Sequence, residues 1–157
     1  MSTPNPTLWL DADAAPRAVK EVCFQVAQRR SLSVVVVANQ RQAVPNSPQV
    51  RQVTVGSAFD AADDHIADEC ASGDLVVTAD VPLAARVVAK GAVVLDHRGR
   101  VLDDDNVQDS LAMRDLAHDL RAEGVVTGGP APFGKGDKQA FVNALDRTLT
   151  ALLKGRR

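Results

Sequence analysis

Three stretches of the chain, "SVVVVAN" (33–39), "DLVVTAD" (74–80) and "AVVLD" (92–96), are apolar and β-branched without a polar residue alternating through them. A strand with one face in water alternates in period two. A strand covered on both faces does not, and such strands belong to sheets enclosed by helices. The intervening segments read as those helices. After a short strand at Leu8–Leu10, Pro16 suits the first turn of a helix in which Val19, Val22, Cys23, Val26 and Ala27 recur at helical spacing. A second helix is expected over about 61–71, stopped by Gly73, and a third from Pro82 to Lys90, stopped by Gly91. Strand and helix alternate, which predicts an α/β fold: a three-layer α/β/α sandwich around a mostly parallel sheet.

The remaining segments fit this plan. "RQAVPNSP" (41–48) reads as a loop, and "QVRQVTV" (49–55) alternates, as a strand near a sheet edge should. "HRGR" (97–100) is a turn, Asn106–Glu123 a helix, "TGGPAPFGKGDK" (127–138) a Gly/Pro-rich loop and Gln139–Leu153 a closing helix. With 157 residues, the simplest organisation is one domain over 1–157, with 1–6 and 154–157 as flexible ends.

Composition narrows the function. Aromatic residues make up 3% of the chain and tyrosine is absent, so platforms for stacking bases are scarce. The formal net charge of -2 gives no global footprint for nucleic acid, and any phosphate contact must come from a local patch or a metal. Cys23 and Cys70 sit within helical apolar patterns and show no metal spacing, as reduced core thiols do. No basic leader precedes an apolar run, and "VVVVA" (34–38) is too short to span a bilayer. A cytoplasmic location without membrane contact is expected.

The chemistry lies in the aspartates. In an open parallel sheet, ligands bind beyond the carboxyl ends of the strands. Asp11 and Asp13 follow the first strand, Asp80 follows "LVVTA", Asp96 follows "AVVL", and "FDAADDHI" brings Asp60, Asp63 and Asp64 to the start of a helix. Two like charges at ~4 Å repel by roughly 1 kcal/mol in water and several times that in an only partly screened cleft, so such a cluster calls for a cation. Carboxylates without Cys or His favour Mg²⁺ or Mn²⁺ over zinc. A single Asp after a strand is more often a cap or turn residue. Asp11 with Asp13 is harder to explain that way, since one cap needs one carboxylate. Asp60, Asp64 and Asp103–Asp105 read as solvated or capping, and Asp96 has only its position to recommend it.

No other arrangement competes. His65, His97 and His118 lack a nucleophile at any recognisable spacing, and "TGGPAPFGKG" with Lys135 lacks the residue order of a phosphate-binding P-loop. Arg17, Arg41 and Arg98 are candidates to neutralise a phosphate locally.

Taken together, "WLDADAAP", "VANQ", "FDAADDHI", "GDLVVTADVPLA", "MRDL", "TGGP" and "FVNALD" resemble the YaiI/YqxD family of uncharacterised bacterial proteins, from about Leu8 to Leu153. That family is similar to a branch of the PIN-like domains, which implies a three-layer fold and an acidic cluster that binds Mg²⁺ or Mn²⁺ and cleaves RNA. By this resemblance Asp11, supplemented by Asp13, matches the acid after the first strand, Asp63 the acid at a helix start, and Asp80 the acid closing a "TxD" segment. The usual acid on an early helix has only Glu21 as a counterpart, a departure that touches hydrolysis more than metal binding.

Three functions follow as expectations. The first is a Mg²⁺- or Mn²⁺-dependent phosphodiesterase acting on RNA or another nucleotide, with Asp11, Asp13, Asp63 and Asp80 as ligands and catalytic groups and Arg17, Arg41, Arg98 and Lys135 toward substrate. The second is a non-catalytic metal- or nucleotide-binding regulatory module. The third is a phosphatase with Asp11 as nucleophile and Asp13 as acid, although Ala15 stands where such a motif has Thr.

Overall fold

The first strand, β1 (Thr7–Asp11), occupies the middle of the sheet, and its side chains divide the core in two. Leu8 and Leu10 join a cluster with Val34, Val36, Leu75 and Val77 under α1 (Arg17–Arg30) and α5 (Lys135–Lys154). Trp9 points the other way and packs with Val35, Val76 and Val94 under α2 (Ala61–Glu69), α3 (Val81–Val88) and the first turn of α4 (Val107–Ala122). The structure, a computed structural model, describes residues 5–58, 60–124 and 132–154.

The six strands run in the order β3 (Val50–Thr54), β2 (Ser33–Ala38), β1, β4 (Leu75–Val77), β5 (Val93–Leu95), β6 (Val101–Leu102). All neighbours are parallel except β5 and β6. The expected sandwich is thus present, and the non-alternating strands are those buried on both faces: β2 from Val34 onward and all of β4. The alternating strand β3 is the edge, with Arg51 and Thr54 exposed. Parallel strands β2 and β3 are joined by a crossover, residues 39–49, that Pro45 and Pro48 keep from being helical.

Two elements depart from the sequence reading. A two-residue antiparallel strand, β6, follows the 97–100 turn, pairing Val101 with Leu95 and Leu102 with Val94; it is too short for any periodicity to announce. The last helix starts at Lys135 rather than Gln139. Asp137 Oδ2 accepts the N–H of Gly134 at 3.0 Å, half of a capping box, and this turns a glycine-rich segment that reads as loop into a first helical turn. Residues 127–131 of the expected loop, like 1–4 and 155–157 of the expected ends, lie outside the described residues, whereas Pro6 is buried and Lys154 closes α5.

Candidate functional site

The chain leaves β1 toward β2 by way of α1 on one face and later reaches β4 by way of α2 on the other, so the crevice above β1 and β4 is the topological switch point of the sheet. Asp11 ends β1, and Thr78 stands on the next rung of β4 beyond the Leu10–Val77 pair. The Thr78 hydroxyl donates to Asp11 Oδ2 at 2.8 Å and accepts the N–H of Asp80 at 3.0 Å. Asp80 in turn caps α3, its Oδ1 accepting the N–H of Leu83 at 2.9 Å. Asp13 accepts the N–H of Asn39 with both oxygens, at 3.0 and 2.9 Å, and Asn39 Nδ2 donates to Gly56 O, which ties the carboxyl ends of β1, β2 and β3 together. Asp63 lies half-buried in the first turn of α2 beside Ala62, three residues before the buried Ile66.

The charges of these groups act on one another. Burial pushes the Asp11 carboxyl above the ordinary range; the Thr78 hydrogen bond opposes this, and the charges of Asp80 and Asp13 add to it. Asp63 is raised further, to about 6, first by burial and then by Asp80, Asp11 and Asp60, with Arg86 working in the opposite direction. That arginine is itself paired with Asp64 at 2.9 Å. Asp11, Asp13, Asp60, Asp63 and Asp80 therefore share a neighbourhood with an excess of negative charge.

Shared neighbourhood is not convergence. Among the described residues, no three Asp, Glu, His or Cys side chains are arranged to hold one metal ion. The reason is visible in the hydrogen bonds: Asp13 and Asp80 are turned to backbone N–H groups. The donor chemistry, all carboxylate oxygen, suits Mg²⁺ or Mn²⁺.

The structure also places the other candidates. Arg17 is paired with Glu21 at 3.0 Å, and Arg98 with Asp137 at 2.8 Å. Arg41 is exposed on the crossover, and Lys135 is the exposed first residue of α5, not part of a loop. Asp60 precedes α2 without a side-chain cap bond, while Asp103 accepts the N–H of Asp105. Asp96 Oδ1 accepts the N–H groups of Arg98 and Arg100, which makes it the organiser of the β5–β6 turn. His65 meets the edge of Trp9 at a ring-centroid distance of 6.2 Å, and His97 is buried with no partner at Nε2 among the described residues.

Two residues escaped the sequence reading. Thr78, 1% exposed, joins Asp11 to Asp80; its signal was a hydroxyl closing an otherwise apolar strand. Asp74, 7% exposed, sits at the opposite end of β4 and accepts from Thr7 N, Trp9 Nε1 and Ala71 N.

With this geometry in place, the profile described as "Uncharacterized BCR, YaiI/YqxD family" matches residues 9–151. The chain belongs to the YaiI/YqxD family. Its relatives include a UPF0178 protein of Trichlorobacter lovleyi, 49% identical over 148 residues, which are 94% of this chain and 96% of that one. A UPF0178 protein of Shewanella sp. strain MR-4 is 51% identical over 142 residues, 90% of this chain and 95% of the relative. One from Maridesulfovibrio salexigens is 49% identical over 146 residues, with 93% and 97% covered. Among solved structures, UDP-GlcNAc 2-epimerase from Neisseria meningitidis bound to UDP-GlcNAc has a TM-score of 0.43 and 10% identity, over 96% of this chain and 45% of that one, too loose a likeness to bear on function. Among the described residues of this YaiI/YqxD protein, no helix is long and apolar enough to cross a membrane.

Proposed function

We propose that the acidic end of the sheet is a Mg²⁺- or Mn²⁺-dependent phosphodiesterase site acting on RNA or another nucleotide. The observation that carries this reading is the position of Asp11 and Asp80 on either side of Thr78 at the switch point, with Asp63 near enough for both charges to act on it. Asp11 keeps Oδ1, and Asp80 keeps Oδ2, outside the hydrogen bonds that position their other oxygens. Asp63 brings a third carboxylate from a different element, and Asp13 a fourth that also fixes the start of the crossover. Bound among these residues, a divalent cation supplies charge neutralisation and Lewis-acid activation of water at a phosphate. Thr78 orients Asp11, and α2 and α3 wall the crevice on the Trp9 face.

Thermal unfolding with and without Mn²⁺ tests the site. At roughly 100-fold excess over Kd, mass action adds about 2.7 kcal/mol, several degrees in Tm for a chain of this size. Asp11→Asn and Asp80→Asn should each abolish most of that rise; a rise left intact by both sinks the shared site. Cleavage of labelled RNA, lost in Asp11→Asn, tests the chemistry. Glu21, the one counterpart of the usual early-helix acid, is paired with Arg17, which favours a second reading, a non-catalytic metal- or nucleotide-binding module. Mn²⁺ stabilisation without turnover on any nucleic acid would select it.

A further inference from the structure

α1 and the crossover enclose a groove of about 520 Å³, within the range of roughly 300–1,000 Å³ typical of ligand pockets. Arg17, Lys20 and Phe24 line it from the helix, and Gln42, Val44 and Pro45 from the crossover. Both walls originate at the acidic site. The helix begins at Arg17, shortly after Asp13, and the crossover begins at Asn39, whose N–H is held by the Asp13 carboxylate.

The lining is graded along the helix. Arg17 opens the helix four residues after Asp13, with Lys20 in its first turn, and one turn beyond Lys20 the edge of Phe24, 9% exposed, meets the groove beside the half-buried Val44 and Pro45. Lys20 Nζ donates to Gln42 Oε1 at 2.8 Å, a neutral acceptor that braces the two walls without cancelling the charge. The Arg17 partner, Glu21, also lines the groove, but with the Arg17 side chain 91% exposed the pair contributes only ~0–1 kcal/mol, so an anion can compete for the guanidinium. Cations near the acids and an apolar wall one turn deeper match the order of groups in a nucleotide whose phosphate lies toward the site. A duplex does not fit this lining, because pairing and stacking hide the base faces that an apolar wall would cover. The scarcity of aromatic residues limits the contact to about one base.

We propose that this groove holds the nucleotide flanking the scissile phosphate of a single-stranded nucleic acid, its phosphate against Arg17 and Lys20 and its unpaired base against Phe24, Val44 and Pro45. The word scissile rests on the phosphodiesterase reading above; the binding does not.

Fluorescence anisotropy of the full chain with a labelled oligouridylate in EDTA measures that binding without metal or turnover. Arg17→Ala with Lys20→Ala should weaken it at least tenfold and lower the salt slope by about 0.7, the single-strand value for the one phosphate that the two cations share. Val44→Asp, with an unchanged melting temperature, should weaken it similarly, and should Val44→Asp unfold the chain, Val44→Ser replaces it. Arg147→Ala, an exposed cation on α5, serves as the control that keeps full affinity. A duplex of equal length and free uridine monophosphate should each bind at least tenfold more weakly than the single strand. No binding of the single strand, undiminished binding by the groove variants, or equal binding of duplex or mononucleotide overturns the proposal. Groove-dependent binding without any cleavage overturns the phosphodiesterase reading alone, whereas cleavage with groove-independent binding overturns the groove alone.

Discussion

The indole N–H of Trp9 donates to Oδ2 of Asp74 at 3.0 Å across the amino-terminal edge of the sheet. The same strand that begins after Asp74 leads into Asp80, and the two carboxylates have opposite fates. Asp74 is buried and receives three N–H groups, two of them at Oδ2. Asp80 accepts one N–H and adds its charge to those on Asp11 and Asp63. A carboxylate saturated by donors is a structural device. One left among like charges is the kind of group that the proposed cation site requires.

Asp74→Ala should therefore lower stability by about 3 kcal/mol, since it strands a buried indole N–H and two backbone N–H groups. Asp74→Asn keeps one acceptor oxygen and should lose about half as much. Trp9→Phe removes a single donor, and its effect should shrink when Asp74 is already gone. A double-mutant cycle by urea unfolding checks the coupling, and strict additivity would refute the shared hydrogen bond.

Asp63→Asn should stabilise the metal-free protein at neutral pH. A carboxyl raised from 3.8 to about 6 on folding keeps its proton longer in the native state, so stability falls as pH climbs from about 4 to about 6. Linkage makes the whole gap worth roughly 3 kcal/mol, and solvent screening of a half-exposed group reduces this to about 1 kcal/mol. In EDTA the variant should melt higher than the parent at pH 7.5 and equally at pH 3.5. A lower melting temperature at pH 7.5 would identify Asp63 as a helix-stabilising residue.

Thr78→Val keeps the shape of the side chain and removes both hydrogen bonds at once. The Asp11 carboxylate loses the donor that lowers its pKa, and the N–H of Asp80 loses its acceptor. The expected cost is about 2 kcal/mol, with Thr78→Ser recovering more than half. Equal losses in Val and Ser would assign the effect to packing of the methyl group. In metal titrations followed by melting, Thr78→Val should also weaken the response to Mn²⁺, because Asp11 is no longer oriented.

The strand ends were readable because burial on both faces leaves a strand no polar alternation, so the first acid after an apolar run marks where the chain emerges. Asp11, Asp13 and Asp80 follow that rule, and Asp63 follows from its place at a helix start. Their hydrogen-bond partners do not: Asp13 is bound by Asn39 and Asp11 by Thr78, residues far away in sequence. The role of Asp74 depends on Thr7 and Trp9, which only parallel pairing brings beside it. Lys135 read as loop because a Gly/Pro-rich approach hides the cap formed by Asp137. The pairing of Arg98 with Asp137 was not legible because the helix that supplies Asp137 follows much later in the chain.

Gly99 offers a sharp test of how the β5–β6 turn docks on α5. Its φ of +91° lies where side chains are strained, and an added Cβ would come within 2.6 Å of the backbone oxygen of Ala140, an atom that cannot swing aside. Gly124 shares the conformation, with φ +77°, but a Cβ there meets nothing within 4 Å among the described residues. Gly124→Ala should cost about 1 kcal/mol, the conformational part alone. Gly99→Ala should cost about 2–4 kcal/mol, because the clash lifts the turn from the helix and stretches the ion pair between Arg98 and Asp137. Urea unfolding of the two variants side by side isolates the contact, and equal costs would mean that the turn yields freely and does not fix the start of α5.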